Sequence, residues 1–175
     1  MIAPPHDITI RPLEQSDLAT ALVMQNQSYP AFLCEEPAAF ASRMLVPGSL
    51  CLAAIRSDRL IAYLIAHGSA ARSPFPVGHV LGPGDAGHDV LFIHDLCVST
   101  AGRGIDLGRR IIDHAFDLAT TAGLRRAELI AVEGAESYWR GLGFVEEEVS
   151  PALAAKVASY GADARWMARD IRAMR

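Results

Sequence analysis

The sequence predicts a mixed α/β domain with one central, mostly antiparallel sheet of six to seven strands, flanked by about four to five helices. Three observations carry this expectation. Residues 91–132 spell strand, glycine turn, helix, strand. Leu50–Ile55 and Leu60–His67, joined across Ser57-Asp58-Arg59, read as a hairpin, which rules against an all-parallel doubly wound sheet. The 175 residues suit one domain, 1–175, long enough to bury a proper core.

In chain order, Ile8-Thr9-Ile10-Arg11 alternates and predicts a short first strand. Pro12-Leu13 leads out, and Ser16-Asp17-Leu18 reads as a helix start continued by Leu18, Ala21, Leu22 and Gln25. That helix fades near Ser28, where Tyr29-Pro30 breaks it. A second helix, Pro37 to Met44, follows Glu35 and Glu36, and Pro47-Gly48 turns the chain into the hairpin. Residues 69–89 hold four glycines, three prolines, His79 and His88 with little periodicity. A loop that long is a lid, a binding loop or disordered. Leu91–Val98 is an apolar run that reads as a largely buried strand, and Ser99–Gly104 is a turn. From about Asp106 to Ala122 the spacing predicts a helix, with Leu107, Ile111, Ala115, Leu118 and Ala122 on one face and Gly123 as its stop. Then come a strand at Ala127–Val132, a short helix at Ala135–Arg140 and a turn at Gly141–Phe144. A strand at Val145–Val149, a helix at Pro151–Ser159 and a closing strand at Ala164–Ile171 complete the chain.

Composition removes several functions. With 51% hydrophobic and 21% charged residues and a net charge of -4, the chain has the balance of a globular protein and no footprint for nucleic acid. No apolar run approaches the roughly 20 residues that span a bilayer, so no membrane partner is expected. Cys34, Cys51 and Cys97 are scattered, odd in number and unaccompanied by a signal peptide, which suits free thiols in a reducing cytoplasm. His6, His67, His79, His88, His94 and His114 show no ligand spacing, so no metal site is expected.

Strand, glycine turn and helix together make a place to hold a phosphate, because the helix start offers unpaired N–H groups and the positive end of its dipole. The spelling Arg103-Gly104-Ile105-Asp106-Leu107-Gly108 resembles the pyrophosphate loop of the Gcn5-related N-acetyltransferases. Leu96-x-Val98 is similar to that family's fourth strand, and Ala135-x-x-Tyr138-Trp139-Arg140-Gly141-Leu142-Gly143-Phe144 to its second motif. Residues 159–167 resemble its last strand and the loop before it. The resemblance implies acetyl-CoA as co-substrate and transfer of its acetyl group to an amine of a small molecule or protein. It implies that backbone at Leu96, Cys97 and Val98 pairs with the pantetheine arm. The rest of the cofactor would meet Arg103, Gly104, Ile105, Asp106, Leu107, Gly108 and Arg109, together with Ser137 and Trp139. It also implies that the first two helices shape the acceptor side, which makes Tyr29, Phe32, Glu35 and Glu36 candidates for substrate contact. The alternative for these four is packing aromatics and solvated helix-start carboxylates.

Two departures from the family pattern matter. Asp106 stands where the family has its first loop glycine, and a carboxylate about 5 Å from a phosphate costs roughly 0.8 to 3 kcal/mol per charge pair. Arg103, Arg109 and Arg110 could offset this, or Asp106 could serve the helix start instead. Trp139 occupies the position of the family's usual leaving-group acid, a tyrosine, and an indole N–H cannot fill that role. Tyr138 is adjacent but points about 100° away on a helix.

His94 is the first choice of general base, since its ordinary pKa suits proton transfer near neutrality. Its alternative is a histidine that packs in the sheet. On a regular strand Asp95 faces the other way, so only one of the two reaches the site, and a bulge could reverse which one it is. Cys97 reads as a packing thiol more readily than as an acyl carrier. Besides the transferase, two readings stay open. One is a degenerate, non-catalytic acyl-CoA or ligand-binding member, on Asp106 and Trp139. The other is a dinucleotide-binding oxidoreductase, on Gly102-x-Gly104-x-x-x-Gly108, which is not the dinucleotide fingerprint. An exposed strand or the last hairpin could also pair across a two-fold axis into a homodimer.

Overall fold

A computed structural model describes residues 7–171. Seven strands form one sheet: β1 Ile8–Pro12, β2 Leu52–Arg56, β3 Arg59–Ser69, β4 Val90–Val98, β5 Arg126–Ala131, β6 Val145–Glu146 and β7 Arg165–Asp170. Their order is β1-β2-β3-β4-β5-β7-β6, and every neighbouring pair is antiparallel except β4 and β5. Five α-helices accompany them among the described residues: α1 Leu18–Ser28, α2 Pro37–Leu45, α3 Leu107–Thr121, α4 Glu136–Gly141 and α5 Pro151–Ala158. The mixed, mostly antiparallel sheet is the expected one. A single parallel pair removes the doubly wound, dinucleotide-binding reading.

Strand alternation sorts side chains into layers on the two faces of the sheet. Leu64, Leu91 and Ile93 face α3, meeting Leu107, Ile111, Ile112 and Phe116. Tyr63 and Ile65 face the other way, against Phe40 of α2 and Met24 of α1. Phe92, Ile130 and Trp166 pack against Leu153 and Val157 of α5. The β2–β3 hairpin closes through Ser57 and Asp58, both at positive φ, as a two-residue turn matched to strand twist requires.

Three details differ from the sequence expectation. The buried stripe of α3 runs Leu107, Gly108, Ile111, Ile112, Ala115, Phe116 and Ala119, whereas Leu118 and Ala122 are exposed. The helical period carries the buried face through Ala119 and turns Leu118 away from the sheet. The strand expected over Val145–Val149 is only two residues long, Val145–Glu146. Beyond it Glu147 turns to arginines, pairing with Arg126 at 2.5 Å and Arg72 at 3.1 Å. Ser150 then caps α5, its hydroxyl accepting from Leu153 N–H at 3.2 Å. Finally, residues 70–89 form a strapped loop. Gly78 N–H donates to Glu35 Oε2 at 2.6 Å and Leu81 N–H to Ser42 Oγ at 2.9 Å. The Tyr160 hydroxyl donates to the Phe75 carbonyl at 2.5 Å.

Candidate active site

The parallel pair that joins the two halves of the sheet is short. β4 and β5 pair only from Leu91–Ile93 to Ala127–Leu129, and beyond that the strands part. The β5-facing backbone edge of β4 after Ile93 therefore has no strand partner, with Tyr29 taking only the Leu96 carbonyl, and an extended ligand could add there as a strand. Two cavities lie in the parting. One, of about 190 Å³, is lined by Tyr138 and Trp139 of α4 together with Leu96 and Ser28. The other, about 40 Å³, is lined by Gln25, Leu33, Val77 and Tyr160. Tyr29, His94, Asp95, Ile130 and Val132 border both.

A β-bulge puts His94 and Asp95 there together. Ile65 of β3 pairs with Asp95 but Ala66 pairs with Ile93, so His94 is the extra residue in β4. The strict alternation that would send Asp95 to the opposite face is lost, and both side chains reach the junction. The expectation that only one of them reaches the site is corrected here.

Behind His94 runs a buried polar chain. His94 Nε2 lies 2.8 Å from Glu35 Oε1, and Arg43 NH2 lies 3.5 Å from the same oxygen. Arg43 NH1 is 3.1 Å from His67 Nε2, and His67 Nδ1 is 3.0 Å from the Gly68 carbonyl. A carboxylate only accepts and a guanidinium only donates, which fixes both tautomers. His94 carries its proton on Nε2, so its buried Nδ1, which has no partner, presents a lone pair. His67 carries its proton on Nδ1. Burial pushes both histidines down to about 4, with the Arg43 charge acting the same way, so both are neutral near pH 7. Burial pushes Glu35 up, but hydrogen bonding from His94 and the charge of Arg43 prevail and hold it below the usual glutamate range.

Asp95 differs. Its Oδ2 accepts from the Tyr63 hydroxyl at 2.6 Å, whereas Oδ1 is buried without a partner. Burial raises it to about 6, against the pull of the Tyr63 and Tyr29 hydroxyls. Tyr29 itself donates to the Leu96 carbonyl at 2.9 Å.

On the larger cavity's side, α3 begins at Asp106, which sits in the left-handed region (φ 55°, ψ 29°), as a glycine would. Its carboxylate makes no cap to the helix but pairs with Arg109 Nε at 3.2 Å, with the side chain 70% exposed. The first-turn N–H groups of α3 therefore have no side-chain partner, and the preceding Gly104 is also at positive φ (78°). Loop and open strand edge suit a pyrophosphate with an extended arm.

The remaining expected residues distribute as follows. Arg103, Gly104 and Ser137 are exposed, Ile105 and Val98 pack against the core, and Leu107 and Gly108 are buried. The Tyr138 hydroxyl abuts Gly108, where a Cβ would come within 2.1 Å of it. Trp139 is buried edge-on to Phe144. Arg109 also donates to the Gly141 carbonyl at 3.0 Å, tying α3 to α4. The Cys97 thiol points away from the opening, 3.2 Å from Ser28 Oγ under α1, and burial raises its pKa. Phe32 is exposed beside Gly161, and Glu36 lines a separate outer hollow with Cys34 and Pro37. Neither borders the junction. Sequence reasoning missed Arg43, Tyr63 and Tyr160, and ranked Asp95 and Glu35 too low. Arg43 did leave a signal, a charge on the buried stripe of α2 with Ala39 and Phe40. Among the described residues no group of three metal-ligating side chains converges; His6 lies outside them.

The acetyltransferase (GNAT) family model matches residues 18–144. No curated protein matches the chain. Similar solved structures include the ribosomal-protein-S18-alanine N-acetyltransferase from Escherichia coli, at 19% identity and TM-score 0.66, covering 96% of each chain. Arabidopsis thaliana Naa50, bound to the bisubstrate analogue CoA-Ac-MVNAL, aligns at 12% identity and TM-score 0.65 over 93% of this chain and 98% of its own. The PaiA N-acetyltransferase of Thermoplasma acidophilum, in complex with coenzyme A, aligns at 13% identity and TM-score 0.65, with the same coverage of 93% and 98%.

Proposed function

Because the chain belongs to the acetyltransferase (GNAT) family, we propose that it is an N-acetyltransferase moving an acetyl group from acetyl-CoA directly to an amine in a ternary complex. The observation that carries this is His94, which borders both cavities and whose Nδ1 has no hydrogen-bond partner. One cavity leads to the start of α3, the other to the elements that follow α1. Acetyl-CoA supplies the activated thioester. The first turn of α3, with Arg103 and Gly104, holds its pyrophosphate, and the edge of β4 at Leu96–Val98, which has no partner on the β5 side except Tyr29 at the Leu96 carbonyl, aligns the arm. Asp106 leaves this loop usable because its carboxylate is turned to Arg109. That geometry supports the enzyme over a non-catalytic relative.

His94 is the base. Glu35 anchors Nε2–H, so Nδ1 faces the amine and takes its proton as the new N–C bond forms. Nearby Arg43 keeps Glu35 ionised without exposing it. As the C–S bond breaks, the Tyr138 hydroxyl donates to the departing sulfur. Trp139 forms the wall beside it.

Acetyl-CoA-dependent thiol release with a panel of amines tests the reading. Turnover by the wild-type protein, reduced by about 10²- to 10⁴-fold in His94→Gln, is expected. Equal turnover by the variant would remove His94 from the account.

A further inference from the structure

We propose that the acceptor is a compact primary amine carrying no carboxylate, its ammonium held by Asp95 Oδ1, an assignment that rests on the transferase reading above. The bulge at His94 brings Asp95 to the junction, where Oδ2 is taken by Tyr63 and Oδ1 is buried unpaired. A buried carboxylate oxygen without a partner is costly, and a charged N–H donor is the chemistry that satisfies it. Tyr29 and Tyr160 wall the same smaller cavity, and aromatic faces attract a cation.

The same lining argues against an acceptor carboxylate. Among the described residues no lysine or arginine borders either cavity. Arg43 lies behind His94, engaged with Glu35 and His67. A substrate carboxylate placed near Asp95 and Glu35 would be repelled, with no cation to compensate. Size argues for a small amine over a peptide. The cavity of about 40 Å³ is small, and Val77 and Tyr160 narrow it. The loop bearing Val77 is pinned by the Gly78–Glu35 and Phe75–Tyr160 hydrogen bonds.

The groups facing Asp95 set its titration. Tyr63 on β3, Tyr29 after α1, and Glu35 and Arg43 from α2 and its entry surround it, with His94 and Cys97 beside it on β4. With Asp95 near 6, the carboxylate is ionised above that pH and holds the ammonium. Below it the carboxyl is neutral and that attraction is lost. The transfer balances as before: one N–C bond forms, one C–S bond breaks, and no further reactant enters. The ammonium loses one proton to solvent on becoming a nucleophile and a second to His94 as the N–C bond forms. The departing sulfur gains one through the Tyr138 hydroxyl, which solvent reprotonates, so one proton is released overall.

The test compares acetylation of 3-methylbutylamine, of leucine, which is the same amine with a carboxylate, and of a hexapeptide beginning with leucine. Products are measured by mass, with acetyl-CoA affinity measured in parallel by calorimetry. The expected result is a kcat/KM for 3-methylbutylamine about 100-fold or more above those for leucine and the peptide. Asp95→Asn is expected to raise the amine KM by about 30-fold or more and to abolish the acid limb near pH 6, with acetyl-CoA affinity kept within about threefold. Tyr63→Phe retains the carboxylate but not its hydrogen bond, so it keeps the amine preference and moves the limb to higher pH. Leucine or the peptide used as well as the amine, or an unchanged amine KM in Asp95→Asn, overturns the assignment. A wild-type protein that fails to bind acetyl-CoA overturns the transferase reading itself, and the acceptor assignment with it.

Discussion

At the scale of single residues, the proposed chemistry rests on which atom of His94 is free. Glu35 decides this by accepting from Nε2, so it acts through His94 as a positioning residue. Glu35→Gln keeps the size but removes the charge that favours this orientation and balances Arg43. The expected outcome in steady-state kinetics is a kcat lowered by about 10- to 100-fold with the amine KM little changed. A raised KM at constant kcat would instead make Glu35 a substrate contact. The histidine could be singled out from its place in an apolar strand, but its partner could not. Glu35 and Glu36 are adjacent identical residues, and only the entry angle of α2 sends one inward and leaves the other exposed. Asp106 shows the opposite limit. Its identity argued against phosphate binding, yet its left-handed backbone and its pairing with Arg109 keep the loop shape and turn the charge away.

At the scale of elements, the contact between α3 and α4 is the most sensitive joint. Gly108 has no room for a Cβ while the Tyr138 hydroxyl stands 2.1 Å from that position. Tyr138 is half exposed and can swing outward, so Gly108→Ala is expected to cost under about 1 kcal/mol in denaturant unfolding. Turnover should nevertheless fall as far as in Tyr138→Phe, because the hydroxyl has been displaced. In the double variant the two losses should not add, since both remove the same hydroxyl. Additive losses would mean that Gly108 serves the loop alone. Periodicity made α3 and the β2–β3 hairpin legible, because local spacing dictates which face is buried. The bulge in β4 was not legible, since it depends on register against β3, which local sequence does not encode. Nor did composition reveal that residues 70–89 are strapped, because the hydrogen bonds holding them reach distant residues such as Glu35, Ser42, Glu128 and Tyr160.

At the scale of the molecule, the buried charges couple folding to pH. His94 and His67 fall from 6.5 to about 4 on folding, so each favours the folded state fully above pH 6.5 and loses that contribution as pH falls toward 4. Asp95 rises from 3.8 to about 6, so it has the opposite sign and favours the folded state below pH 6. Near pH 5 the unfolded chain binds two more histidine protons and one fewer aspartate proton, a net difference of about one. Stability should therefore drop by roughly 1.4 kcal/mol per pH unit on acidification around pH 5 from these three groups. Denaturant unfolding across pH 4.5 to 6 checks this, and a flat or rising stability on acidification would contradict the buried neutral histidines.

On the proposed function, the start of α3 and the parted edge of β4 form a working donor site despite Asp106. Calorimetric titration of acetyl-CoA into the wild-type protein and into Asp106→Gly tests it most directly. Micromolar binding to the wild type is expected, with the variant tighter by no more than about tenfold, since the carboxylate already faces Arg109. No binding to the wild type with binding restored in the variant would show that this one carboxylate closes the site, contradicting the transferase reading.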